Sequence, residues 1–316
     1  MNEPRVSICI VTYNHERYLR ECVMSVVAQA QDVHLEILIG DDHSSDQTES
    51  IGRELEALFP EVIRFIRHET NLGPGGNYQS LIRLARGEYI AHLDGDDFWL
   101  PGKIISQIGI LDNNPDYSAV YTNALCINDH HQLLGVFNNT QPSIIDLKYL
   151  MDSGNFLNHS SLIYRAILRK EILSWKPDFI DYKIHLYLAR MGLIGYSNSC
   201  YVAYRVASST SMLVNNGEHV RYLYWEAIQT NAPNEKTLYL HPSADFLRRV
   251  FFHSLRTRSF AQLKHWGQKT KQEQKFQQIK LITLTCWKII SAGLREIWNL
   301  GIGNIGGVRL RVFYWR

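Results

Sequence analysis

The N-terminal third of the chain alternates short β-branched runs with amphipathic stretches of helical period. Val6 to Val11 is an apolar run that ends in Thr12-Tyr13-Asn14, and the residues after it place Leu19, Cys22, Val23, Val26 and Val27 at helical spacing. Leu35 to Ile39 repeats the strand pattern, Gly40-Asp41-Asp42 punctuates it, and Ser44-Ser45-Asp46 offers caps for a helix running to about Leu58. Val62 to Ile66 predicts a third strand and Asn71-Leu72-Gly73-Pro74-Gly75-Gly76 a turn-rich loop. Tyr78 to Ala85 follows as a third helix closed by Gly87, and Tyr89 to Leu93 as a fourth strand. Such alternation predicts an α/β fold, a mostly parallel sheet flanked by helices, with ligands beyond the carboxyl ends of the strands. Each polar loop named above sits at such an end.

The loop after the first strand lacks the Gly-x-Gly-x-x-Gly spacing of a dinucleotide fold, and no Gly-Lys-Ser/Thr of a P-loop occurs. The fourth strand empties into Asp94-Gly95-Asp96-Asp97, followed by Phe98-Trp99 and a helix starting near Pro101. Three carboxylates at one strand end repel one another unless a cation compensates, and hard oxygen ligands on a short loop suit Mg²⁺ or Mn²⁺. A metal there could bridge two phosphates of a nucleotide and neutralise charge on a departing diphosphate. The plainer alternative is an acidic turn with Asp97 capping the next helix, which accounts for one carboxylate better than for three.

Taken in order, Val-Thr-Tyr-Asn, Gly-Asp-Asp-His-Ser-Ser-Asp, Asn-Leu-Gly, Arg-Gly-Glu-Tyr-Ile and Leu-Asp-Gly-Asp-Asp make the chain resemble the inverting family-two glycosyltransferases over roughly residues 5 to 213. The resemblance implies the GT-A fold, a nucleotide-sugar donor, a divalent cation and inversion at the anomeric carbon. By position it implies that Tyr13 and Asp42 hold the base with Thr12, Asp41 and Asn71 beside them, that Asp94 faces the ribose or sugar, and that Asp96 with Asp94 holds the metal. A tyrosine ring can stack on a base and a carboxylate such as Asp42 can accept the imide N–H of uracil, which favours a UDP-sugar. Read alone, Asp41-Asp42 could equally be an Asx turn, and Asn71 a turn residue.

Inverting transfer needs a carboxylate to take the acceptor's proton. Asp181, in Ile-Asp-Tyr-Lys-Ile-His-Leu-Tyr-Leu-Ala-Arg, resembles the family's catalytic base, although an aspartate just before a helix is also an N-cap. Many members of that family carry Glu-Asp where this chain has Ile180-Asp181. In Tyr204-Arg205-Val206-Ala207, Ala207 stands where a histidine is frequent, while Arg205 could meet a diphosphate oxygen or form an ordinary ion pair. Asn155 to Arg165 resembles the acceptor-side strand, with His159 and Ser160 as candidates; His130-His131 reads as surface.

The length of 316 residues fits a GT-A catalytic domain over residues 1–215, donor half about 1–100 and acceptor half about 101–215, plus a smaller helical module over 216–316. Charge sharpens that division. Residues 241 to 316 hold fourteen Lys or Arg against three Asp or Glu, a local +11, so the rest of the +2 chain carries −9. A basic module meets an anionic surface or is a solvated face. Ile279 to Leu300 is apolar but interrupted by Lys280, Lys288, Arg295 and Glu296, which argues against a membrane span. Trp287 and Trp298 suit a helix lying in the membrane interface, and the Gly301–Gly307 hinge with the Phe313-Tyr314-Trp315-Arg316 tail points the same way. Packing on the catalytic domain or on a second copy, as a homo-oligomer, is the alternative. Five scattered cysteines and a charged N-terminus without a leader predict a cytoplasmic protein, and the basic C-terminal module predicts a peripheral place on the inner face of the membrane. No nucleic-acid motif is present. The predicted function is sugar transfer to a glycan or lipid-linked glycan, against a nucleotidyltransferase or a non-catalytic sugar-nucleotide binder.

Overall fold

In the computed structural model, residues 3–206, 217–231, 240–273, 277–302 and 311–314 are described. Four strands, β1 (Val6–Thr12), β2 (Leu35–Asp41), β3 (Ile63–Arg67) and β4 (Tyr89–Asp94), alternate with helices α1 (Leu19–Val27), α2 (Thr48–Leu58) and α3 (Gly73–Leu84). They lie in the order β3-β2-β1-β4, all parallel. Every residue of β2 is buried, because helices cover both faces of the sheet; the strand is apolar but for Glu36, which pairs with Arg86 (2.8 Å), and Asp41 at its end. Thr12 is level with Asp41, and Val11 with Asp94, so the polar loops after β1, β2 and β4 emerge side by side.

The second half is mixed. It runs through β5 (Phe98–Trp99), α4 (Lys103–Asn113), β6 (Tyr117–Ile127), β7 (Leu133–Asn138), β8 (Ile144–Ile145), α5 (Leu147–Ser153), β9 (Ile163–Arg165), α6 (Arg169–Ile172), α7 (Asp181–Met191) and β10 (Leu193–Arg205). Strand β9 runs antiparallel between β4 and β6, and β10 lies parallel to β6 while its end pairs with β5. This returns Arg205 to the acidic loop.

Helices α8 (Gly217–Asn231), α9 (Leu240–Thr257), α10 (Ala261–Glu273) and α11 (Gln278–Ile302) follow. One continuous core joins them to the sheet, since Trp225, Phe246, Trp266 and Leu281 belong to the same buried cluster as Tyr78, Tyr164 and Leu186. Gly154, in the left-handed region at φ 75°, permits the close approach: a Cβ there would lie 2.8 Å from Asp245 and 3.0 Å from both Arg249 and Tyr224.

Three local expectations change. Helix α3 begins at Gly73 rather than Tyr78, with Pro74 tolerated in its first turn, so much of the expected loop is helical. Helix α4 begins at Lys103, after Gly102 at φ 82°, rather than at Pro101. The tail residues Arg311–Tyr314 form β11, parallel to β7 at the sheet edge, and Phe313 packs on the core instead of pointing away. Ala207, most of the glycine hinge, Trp315, Arg316 and the side chain of Trp298 lie outside what is described. Among the described residues no helix is long and apolar enough to cross a membrane.

Candidate active site

The loops at the carboxyl ends of β1, β2 and β4 are bonded to one another. Asp42 N–H donates to Thr12 O (3.0 Å), and Gly95 N–H to Val11 O (2.9 Å). Gly95 allows that contact, because a Cβ would come within 2.8 Å of Thr12 and 2.9 Å of His15. Asn14 adopts φ 56° and accepts from Ser45 N–H (2.8 Å), which leaves Tyr13 43% exposed, its ring open to a planar partner. Asp42 is buried, accepts from Leu72 N–H (2.6 Å), and burial raises its carboxyl against that hydrogen bond. Asn71 ties the loop down by donating to Asp42 O (3.0 Å). Thr12 is buried and its hydroxyl has no hydrogen-bond partner among the described residues.

Asp41 departs from expectation. It is wholly buried, with one oxygen bonded to Ser44 and the other to Arg67 Nη1 (2.8 Å), so it braces the loop from inside.

In the acidic loop, Asp94 accepts at Oδ1 from His92 Nε2 (3.0 Å). The Ser160 hydroxyl lies 2.6 Å from Asp97 Oδ2 and 3.2 Å from Asp94 Oδ2, so Ser160 serves the loop rather than the acceptor wall. Asp97 caps no helix: it is buried and accepts the backbone N–H of Arg205 (2.9 Å). Burial, with Asp96 and Asp94 beside it, pushes its carboxyl well up. Burial would also raise Asp94, but His92, His15 and Ser160 carry it below the usual carboxylate range. Asp96 lies 3.9 Å from His15 Nε2. The Arg205 guanidinium faces elsewhere, pairing with Glu21 and stacking over Tyr18 at 4.7 Å, so it enters the site through its backbone and not as a diphosphate clamp. His131 is exposed and joins the same surface cluster through Glu21 (3.0 Å).

A cavity of about 350 Å³ adjoins this loop, walled by Asp94, His159, Asn155, Asp181, Tyr224 and Arg249, the last two from α8 and α9. A larger cleft, about 450 Å³, lies at the opposite ends of β1 and β4 around Pro4, Arg5 and Glu88 and gathers no comparable chemistry. Asp181 is the first residue of α7 rather than its cap, which is Ile180. Its Oδ1 accepts from Tyr182 N–H (2.6 Å) and Asn155 Nδ2 (3.0 Å), and burial raises its carboxyl against both bonds.

Asn155 and His185, which no motif in the sequence marks as site residues, extend Asp181 into a row. A carboxylate only accepts, so Asn155 turns its nitrogen to Asp181 and its oxygen to His185 Nδ1 (3.0 Å). His185 Nδ1 must then carry hydrogen, and its Nε2 accepts from His159 Nδ1 (3.1 Å). His159 is left with Nε2 as an acceptor, and its ring lies 4.0 Å from that of His92. Burial, then His92, drives His185 down to about 3, and burial with both neighbouring histidines holds His159 well below the usual histidine range. The signal for His92 was its position two residues before Asp94, on the same face of β4. Asn155 and Arg249 gave none, since only the fold brings α5, α7 and α9 together.

Comparison with known proteins bears on the family and the fold. An uncharacterized protein of Mycobacterium tuberculosis is 29% identical over 206 residues, 63% of this chain and 58% of its own, so the chain spans under two thirds of that relative. The Campylobacter jejuni GalNAc(5)-diNAcBac-PP-undecaprenol beta-1,3-glucosyltransferase is 32% identical over 123 residues, 39% of this chain and 38% of its own. The crystal structure of S. aureus TarS 1-349 in complex with UDP-GlcNAc superposes with TM-score 0.59 at 20% identity, covering 88% of this chain and 79% of that one, which shows the shared GT-A fold. The model of glycosyl transferase family 2 matches residues 7–173, and the chain belongs to that family.

Proposed function

We propose that the protein is an inverting glycosyltransferase moving a hexosyl or N-acetylhexosaminyl group from a UDP-sugar to a hydroxyl of a glycan or lipid-linked glycan. One observation carries this: a single cavity beyond the strand ends is walled both by Asp94 of the acidic loop and by Asp181. The lipid-linked glycan in the Campylobacter relative's name and the UDP-GlcNAc in complex with TarS support the acceptor and donor classes. Tyr13 would stack on the base and Asp42 would accept its imide N–H.

The acidic loop fits a divalent cation by its donor set. Asp97 is pushed well up because burial and the Asp96 and Asp94 charges oppose its ionisation, a repulsion that a hard cation relieves. Among the described residues no cluster of three His, Cys, Asp or Glu side chains forms a ready metal cage. Asp96 and Asp94 would thus hold Mn²⁺ or Mg²⁺ together with the donor's phosphates, as small hard cations favour. Bound there, the ion would stabilise the leaving diphosphate. Asp181 would take the proton of the acceptor hydroxyl as its oxygen attacks the anomeric carbon from the face opposite the diphosphate. In this reading the protein is cytoplasmic and works beside the membrane that carries its acceptor.

Calorimetric titration of UDP, with Mn²⁺ and then with EDTA, tests the donor site on wild type and Asp96→Ala. Metal-dependent binding lost in the variant is the expected result; no UDP binding with any metal would defeat the proposal.

A further inference from the structure

Helix α11 has two unlike sides. Leu281 is buried, Leu284 packs on the core, and Lys288 Nζ donates to Asp152 O (3.0 Å), so one side faces the body of the protein. The other side carries Ile279, Ile282, Trp287 and Ile290, exposed by 82%, 47%, 64% and 55%. At about 100° per residue these four, with exposed Cys286, fall in an arc of roughly 140° centred opposite the packed side. Between Ile279 and Ile290 only Thr283 and, at the edge, Lys280 interrupt it. A tryptophan and three isoleucines aligned on the outward face of a helix are too much apolar surface to leave in water.

Charge decides between occupants. Exposed Arg256, Arg258, Lys264 and Lys280 form no ion pair among the described residues, in a segment of net +11. A second copy on this face would bring two such segments together, whereas anionic headgroups would neutralise them. We infer that α11 is a docking face for an anionic lipid surface, lying along it with Ile279, Ile282, Trp287 and Ile290 in the acyl boundary and Lys280 among the headgroups. Val220, Tyr224 and Arg249 of α8 and α9, which precede α11 in the chain, line the cavity, so docking would hold the site beside a membrane-borne acceptor.

Co-sedimentation of the full chain with phosphatidylcholine vesicles, with and without phosphatidylglycerol, tests this. The expected result is binding to the anionic vesicles that weakens with added salt and falls at least about tenfold in Ile282→Asp/Trp287→Asp. Lys264→Glu/Lys280→Glu should weaken it with the apolar face intact. UDP binding, measured on the same samples, should be unchanged, which reports folding and separates this inference from the catalytic one. Wild type that ignores anionic vesicles, or Asp variants that bind as well as wild type, would overturn it. So would a wild-type dimer by light scattering that becomes monomeric in Ile282→Asp/Trp287→Asp, since that outcome assigns the face to a second copy.

Discussion

Asp181 joins two demands on one carboxylate. Oδ1 is spent on the start of α7 and on Asn155, and no protein donor among the described residues reaches Oδ2. Asp181→Asn keeps the shape but cannot take a proton, so UDP-sugar turnover should fall about 10²- to 10⁴-fold with UDP affinity unchanged. Comparable loss of UDP binding would instead make Asp181 a donor-site residue. Because burial raises its carboxyl, the acid limb of the pH–rate profile should lie above the usual aspartate range, with activity lost as pH falls through it. Asn155→Leu removes a donor to the ionised form and should move that limb further up. A limb that stays in place would show that Asn155 only fills space.

At the scale of elements, the acidic loop is held by its neighbours more than by its own sequence. Arg205 from β10 and Ser160 from the 3₁₀ turn before β9 bond Asp97, and Trp99 Nε1–H donates to Ser160 O (2.8 Å). Just beyond, α4 begins with Lys103, fully buried, its Nζ without a hydrogen-bond partner among the described residues and 3.9 Å above the Trp99 ring. Burial pushes its ammonium well below the ordinary lysine range. Lys103→Met keeps the volume without the desolvation cost and should raise stability by about 1 kcal/mol or more. A lower melting temperature would mean that the cation–π contact outweighs that cost.

The whole molecule carries its buried histidines as a stability device. His185 is fully buried and driven down to about 3, below the histidine value of about 6.5 in an unfolded chain. Its contribution is complete above about pH 6.5 and is lost as pH falls toward 3, by at most about 1.4 kcal/mol per pH unit. Urea unfolding at pH 7 and pH 5 should show this loss, and His185→Gln should flatten it while lowering stability at pH 7. Equal pH slopes in the two proteins would refute the assignment.

The sequence by itself determined the four parallel strands, their polar ends and the acidic loop, because period, turn residues and crowded carboxylates are local properties. It also carried Tyr13, Asp42, Asp94, Asp96 and Asp181 as candidates through the resemblance of short ordered motifs. It could not place side chains whose partners are remote. Asp41 and Arg205 belong to the right segments, yet their charges meet Arg67 and Glu21, which only strand register and the return of β10 bring into reach. The row from Asp181 through Asn155 and His185 to His159 joins one helix, the loop after α5 and a 3₁₀ turn, and the cavity borrows Tyr224 and Arg249 from helices beyond the matched family region. Such a site is an outcome of packing, since hydrogen-bond partners distant in sequence become neighbours only when the apolar faces beneath them close.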